Sequence, residues 1–388
     1  MIVCAPLVAA AQPSGAGEVD MTKPDSPPAE PVPKPAPEPS GQVTPTPLVD
    51  KDVEAPKFAW QPFGYLRMQY IVVQNDPNVA FVGRDDGFEL QNARVGVHGD
   101  LQHLVRFTIS FDGAVDERAQ NTPQGKLRVG LRDAFADVWV GGDLAVRGGY
   151  FQTWVDPQAL VADTEREFVD KPIETRGMRS TEGWYTPGLP PGRSLGAALR
   201  LDPEEANHLG VEVAVQNGAD EFASNNDNDK PAVSAAAMFR LADHGFVVAA
   251  GRWNPRTVGE LPFRQDETDL QGSLGAQINA GAIAVGLGGI VQRTTFESTG
   301  GPAQNAYGAH AQLMFTLPGR PLSIGYRFGI LDPSSLIVTD RVMEHTAGAV
   351  LGVSQFRMRV QLQLSHVQEQ SARDLSNDRI QLAAEVAL

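Results

Sequence analysis

In FRMRVQLQLS, residues 356–365, Phe356, Met358, Val360, Leu362 and Leu364 alternate strictly with Arg357, Arg359, Gln361, Gln363 and Ser365. Successive side chains of a strand point to opposite sides, so this stretch predicts a strand with one apolar and one polar face. The same period runs through YLRMQYIV (65–72), LVRFTISFD (104–112), LGVEVAVQ (209–216), LSIGYRFGI (322–330) and RIQLAAEVAL (379–388). No long helical period competes with it after Trp60.

The connections carry a second rhythm. Tight turn signals stand at GDLQH (99–103), GGD (141–143), DPEEAN (202–207), ADHG (242–245), NAG (279–281), PGR (318–320) and GVS (352–354). Between them fall longer polar segments at 74–86, 113–127, 153–193, 217–230, 254–266, 296–305, 331–341 and 368–377. Counting strands between these breaks gives about sixteen, and an even antiparallel count with alternating short turns and long loops is the layout of an outer-membrane barrel. Short turns then face the periplasm and long loops the exterior. A barrel of that width is too broad for side chains to fill, so its polar face lines water. Phe356, Met358, Val360, Leu362 and Leu364 are thereby expected to face lipid. Arg357, Arg359, Gln361 and Gln363 are expected to face the lumen. A tandem of two soluble sandwiches is the competing architecture.

The first 57 residues read differently. IVCAPLVAAA is a short apolar run followed by small residues, which is the texture of a secretory signal over residues 1–11, although the usual basic start is missing. Residues 12–57 follow, and from Met21 prolines recur among acids and alanines. Such a stretch favours extended polyproline and cannot bury enough apolar surface to order itself. It is expected to be a tether, with the barrel over 58–388.

Bulk composition adds exclusions. Hydrophobic residues make up 42% of the 388, and no apolar run is long enough for a helical membrane span. The net charge of -15 leaves no basic stripe for nucleic acid. Strand positions run against that total. Arg67, Arg94, Arg106, Arg147, Arg252, Arg327, Arg357 and Arg359 fall within expected strands, against the strand carboxylates Glu89, Asp133, Asp137, Glu212 and Glu385. Guanidinium groups stay charged and offer forked donors, so a wall of them favours small anions. The rival reading is that they pair with acids and stiffen the wall. Segment 153–193 is long for a structureless loop and carries mixed charges, which suits a loop folded into the lumen. Its cations are Arg166, Lys171, Arg176 and Arg179.

Little else looks like chemistry. Gly192-Arg193-Ser194-Leu195-Gly196 fits a serine-hydrolase elbow in letters, but that elbow needs a strand before it and a helix after it. The seven histidines are scattered without metal-ligand spacing. No cofactor is expected. A barrel hydrolase is the enzyme-class alternative, and a non-specific or sugar-type porin the nearer one.

Several stretches in order resemble the phosphate-selective porin family of the O/P type. They are FELQNARVGVHGDL (88–101), LRDAFADVWVGGDLAVRGGYFQTWV (131–155), PPGRSLGAALRL (190–201) and HLGVEVAVQNGAD (208–220). The resemblance implies a homotrimer of sixteen-stranded outer-membrane barrels in which 153–193 is the constricting third loop. It also implies passage of small anions, phosphate-like ones among them. Two departures stand out. The chain ends in Leu388 where such barrels usually carry an aromatic, and the only barrel lysines are Lys126, Lys171 and Lys230, all in loops, where phosphate-selective members place lysines in the pore.

Overall fold

The computed structural model describes residues 58–84, 86–114, 129–201, 208–218, 228–258, 264–297, 301–370 and 374–388. The signal-like and tether segments expected over 1–57 lie outside these residues, as does Lys126.

The first half of the sheet contains β1 (Ala59–Val73), β2 (Gly87–Leu101), β3 (Val105–Asp112), β4 (Gly130–Gly141) and β5 (Leu144–Phe151). A two-residue ladder follows, β6 (Gly177–Met178) with β7 (Thr186–Pro187). The wall resumes with β8 (Ser194–Leu201), β9 (Leu209–Gln216), β10 (Ala232–Arg240), β11 (Gly245–Val258) and β12 (Gln265–Ala280). It ends with β13 (Ile283–Phe296), β14 (Gln304–Thr316), β15 (Leu322–Asp332), β16 (Val342–Val353), β17 (Met358–Glu369) and β18 (Arg379–Ala387). Apart from β6 and β7, every strand pairs antiparallel with its neighbours, and β1 pairs with β18, so the sheet is a closed sixteen-stranded barrel.

Alternation assigns the faces. On β17, Leu362 and Leu364 are exposed outward while Gln361 and Gln363 are buried inside the barrel. On β18, Ile380, Leu382 and Val386 are exposed, and Arg379, Gln381 and Glu385 are buried. The soluble-protein rule is reversed: the apolar side chains are on the outside. β2 carries a bulge, since Arg67 pairs with Asn92 and Met68 with Leu90, skipping Gln91. The tight turns are closed by left-handed residues, among them Gly281 (φ 60°) and Gly319 (φ 69°), in the NAG and PGR segments.

Two expectations are corrected. Phe356 and Arg357 are not in a strand: Ser354–Phe356 form a 3₁₀ turn, and Arg357 adopts φ 47° and donates its N–H to the Ser354 carbonyl. The turn needs a left-handed residue to reverse the chain, and this interrupts the alternation, so β17 starts at Met358. Arg357 is exposed at the short-turn end and is not a wall residue. The loop expected over 254–266 is also shorter, because β11 continues to Val258 and β12 begins at Gln265. Asn254 and Arg256 of this segment stand on the lumen face of β11.

The face assignment makes a thermodynamic prediction. Leu362→Arg puts a charge on the lipid face near mid-strand and should cost about 2–4 kcal/mol, whereas Phe356→Arg, in the turn, should cost about 0–1 kcal/mol. Urea titration in lipid vesicles measures both. Equal costs would contradict the assignment.

Candidate functional site

The loop between β5 and β8 lies inside the barrel. Three kinds of contact hold it there. Apolar contacts come first: Ile173, Met178 and Leu189 cluster with Ile290, Ala306, Leu331, Val342 and Val367 of the wall, and Trp154 packs on Ala236, Met238 and Val248. Wall glycines make room for it. A Cβ at Gly275 would stand 2.3 Å from Pro157, and one at Gly308 2.3 Å from Glu174.

Hydrogen bonds come second. A loop inside a lumen must satisfy its own backbone, and wall side chains do this. Gln363 Oε1 accepts from the Val169 N–H (3.0 Å), and Gln361 donates to the Arg166 carbonyl (2.9 Å). Arg359 donates to the carbonyls of Arg166 (2.7 Å) and Asp163 (2.8 Å), and Arg327 to that of Asp170 (2.8 Å). Arg359, Gln361 and Gln363 of FRMRVQLQLS therefore hold the loop.

Ion pairs come third. Arg379 bridges Asp170 (3.3 Å) and Glu182 (2.5 Å) of the loop and Glu344 (2.5 Å) of β16. Arg176 pairs with Glu182 at 2.7 Å and with Glu344, and Arg327 reaches Glu344 at 3.5 Å. The positive charges of Arg176 and its neighbours Arg379 and Arg179 outweigh burial and hold the Glu182 carboxyl well below the usual range.

A second charged cluster sits where the loop meets β1–β4. Asp163 accepts from Tyr65 (2.6 Å) and Arg94 (3.0 Å) and pairs with Arg166 (2.5 Å). Burial alone would raise its pKa, but Arg166, Lys171 and Arg132 hold it well below the carboxylate range. Asp133 binds Arg94 and Arg193, and Glu385 is shared by Arg67 and Arg359. Lys171 stands 3.8 Å from Asp156. Thus, among the described residues, six cations, Arg67, Arg94, Arg166, Lys171, Arg193 and Arg359, pair with four carboxylates, Asp133, Asp156, Asp163 and Glu385. Burial and the charge of Arg166 push the Lys171 ammonium down to about 8, and burial pushes the Glu167 carboxyl up to about 7.

Open space remains at both ends. At the short-turn end a cavity of about 850 Å³ is lined by Arg106, Arg147, Arg200 and Arg240 with Asp100, Asp137 and Asp143. Its arginines stack on rings: Arg106 over Trp139 at 4.7 Å, Arg147 over Phe135 at 3.7 Å. At the long-loop end a cavity of about 1090 Å³ is bounded by Trp184, Tyr185 and Leu189 of the infolded loop and by Arg252, Asn254 and Gln271 of the wall.

Of the residues singled out from sequence, Arg67, Arg94, Arg106, Arg147, Arg252, Arg327 and Arg359 stand on lumen positions of the strands, and Arg166, Lys171, Arg176 and Arg179 belong to the infolded loop. Most of these strand arginines carry a carboxylate partner; Arg147 forks onto Asp137 with two bonds of 2.7 Å. Sequence reading missed Arg200, Arg256, Arg379, Glu267, Asp269 and Glu344. The signal was available for Arg379, which shares the phase of Gln381 and Glu385. Arg256 was hidden by reading 254–266 as loop. Ser194 of the hydrolase-like letters begins β8, with a strand rather than a helix after it. Among the described residues, no group of three or more His, Cys, Asp or Glu is placed to hold a metal ion.

A closed sixteen-stranded barrel, apolar outside and narrowed by an infolded third loop, is a porin. The family described as phosphate-selective porin O and P matches residues 64–259, and the chain belongs to it. It is a channel of the bacterial outer membrane. The barrel is similar to the anion-selective porin from Comamonas acidovorans, at 12% identity and TM-score 0.61, covering 85% of this chain and 100% of that one. It is also similar to the outer-membrane channel DcaP of Acinetobacter baumannii, at 10% identity and TM-score 0.60, covering 85% and 97%. A loop-deletion form of OmpT of Vibrio cholerae matches at 11% identity and TM-score 0.59, covering 86% and 100%. No curated protein matches the chain in sequence.

The ion-pair cluster predicts its own cost. Arg379→Met leaves Asp170, Glu182 and Glu344 buried with one guanidinium fewer, and removing one partner of a buried pair costs about 3–5 kcal/mol. Denaturant unfolding of detergent-solubilised protein should show that loss, together with faster proteolysis within 163–187. A cost under about 1 kcal/mol would show that the cluster does not hold the loop.

Proposed function

We propose that this porin passes small hydrophilic solutes with a preference for anions, phosphate-like ones included. The supporting observation is the cluster around Asp163, where, among the described residues, six cations pair with four carboxylates at the level of the infolded loop. Guanidinium groups there remain charged and donate forked hydrogen bonds. Low-dielectric walls focus their field on the ion path, while acids in bulk electrolyte are screened within about 8–10 Å. The printed description of the Comamonas acidovorans barrel, an anion-selective porin, agrees with this reading. The eight wall arginines expected from sequence contribute less than their number suggests, because Arg67, Arg147, Arg327 and Arg359 are each engaged by a carboxylate.

The working unit is proposed to be a homotrimer. The strands β3, β5, β8 and β9 have 8 residues each, under the 9–11 that a tilted membrane strand needs. That side of the barrel is suited to cover by a second and third copy.

In a potassium chloride gradient across a planar bilayer, the reversal potential should carry the sign of chloride preference. The preference should weaken as pH rises from 6 to 9. Glu167 gains its negative charge through about 7 and Lys171 loses its positive charge through about 8, so both changes remove net positive charge from the loop. Lys171→Met with Glu167→Gln should flatten that profile. Cation preference at pH 6 would refute the proposal.

A further inference from the structure

On the lumen face of β11, β12 and β13 the register builds a small grid. Arg252 pairs with Gln271 and Gln292 follows; Asn254 pairs with Asp269 and then Thr294; Arg256 pairs with Glu267. Side chains directly across the strands stand about 5 Å apart at Cβ, and residues two along a strand about 6.7 Å. The grid borders the outer cavity of about 1090 Å³.

Its charges are matched unevenly. Arg256 serves two carboxylates, Glu267 at 3.1 Å and Asp269 at 3.0 Å, and Asp269 also accepts from Thr294 at 2.6 Å. Arg252 serves none. Among the described residues its one hydrogen bond is a 3.4 Å contact to Gln271 Oε1, although the residue is only 7% exposed. Asn254, between Arg252 and Arg256 on the same face, is 3% exposed, and its Oδ1 has no hydrogen-bond partner. Buried polar groups are normally satisfied, and a guanidinium with five donors leaves most of them unused here. So a guanidinium whose one bonded acceptor is the Gln271 oxygen stands beside an acceptor lacking a donor, next to two carboxylates that form their ion pairs with Arg256.

We propose that this grid is a binding subsite for a small amino-carboxylate zwitterion, such as a free amino acid, entering through the outer cavity. The ligand's carboxylate takes the forked donors of Arg252. Its ammonium takes Asp269 and the Asn254 oxygen. Leu189 and Ile337, which line the same cavity, offer apolar surface to a side chain. A plain anion satisfies Arg252 but brings its charge toward Asp269 and Glu267, and a plain cation leaves Arg252 unmatched. Only a ligand carrying both charges satisfies the grid. The inference rests on the lumen being an open solute path, as proposed above, and not on the sign of its ion preference.

The test uses three probes on the intact protein in a planar bilayer. L-phenylalanine carries both groups, 3-phenylpropionate lacks the ammonium, and phenethylamine lacks the carboxylate. L-phenylalanine should interrupt the potassium chloride current at concentrations about tenfold lower than either partial probe, the worth of one charge-assisted hydrogen bond. Arg252→Gln should abolish its advantage over phenethylamine, and Asp269→Asn its advantage over 3-phenylpropionate. Equal potency of 3-phenylpropionate would show an anion site and overturn the proposal, as would equal potency of phenethylamine or no effect of any probe. The comparison on the unaltered protein decides the matter even where a variant fails to fold. Absence of any current would instead refute the open lumen, and calorimetric titration of the detergent-solubilised protein with the same probes would then decide the site, L-phenylalanine binding more tightly than both partial probes if the proposal holds and no more tightly than either if it fails.

Discussion

Lipid offers no hydrogen bonds, so every backbone N–H and C=O in the spanning sheet has to find its partner in the protein. This constraint decides the rest of the molecule. Pairing β1 with β18 leaves no free edge, and closure at sixteen strands leaves a lumen too wide for wall side chains to fill. An unobstructed lumen of that size would sieve poorly. The chain fills part of it with its own third loop.

Bringing a loop inside transfers the same constraint to a second surface. The carbonyls of Asp163, Arg166 and Asp170 have lost bulk water, and Arg359, Gln361 and Arg327 replace it. Desolvation makes the ion pairs around Glu344 costly to assemble, so they are weak grounds for overall stability. What they supply is position. Three carboxylates and the guanidinium of Arg379 fit together only with Asp170 and Glu182 at this place on the wall. Where arginines exceed acids, around Asp163, the same chemistry leaves a field that solutes meet. Where acids share one arginine and Arg252 has none, it leaves a local dipole.

The sheet was legible because lipid outside and water inside impose opposite demands on alternate residues. Leu362 and Gln361 could be placed from neighbouring letters alone. Turn and loop lengths gave the strand count for the same reason, since tight reversals need Gly or a left-handed residue, as at Gly281 and Gly319. The misreadings have local causes. Arg357 kept the alternating rhythm of β17 although the turn needed it at positive φ. Asn254 and Arg256 passed for loop because they lie on the polar inner face of β11. The pairing of arginines with acids was not legible, since Arg379 meets Asp170 and Glu182 across 209 and 197 residues of chain. No local period reports a contact at that separation.

The central claim is that the infolded loop sets the bore. Single-channel conductance of the protein with residues 163–187 replaced by a short glycine-serine linker, compared with the intact protein in the same salt, tests it most directly. The account predicts a conductance raised severalfold in barrels that still shift on heating. Unchanged conductance in such barrels would place the narrowest section elsewhere and contradict the account.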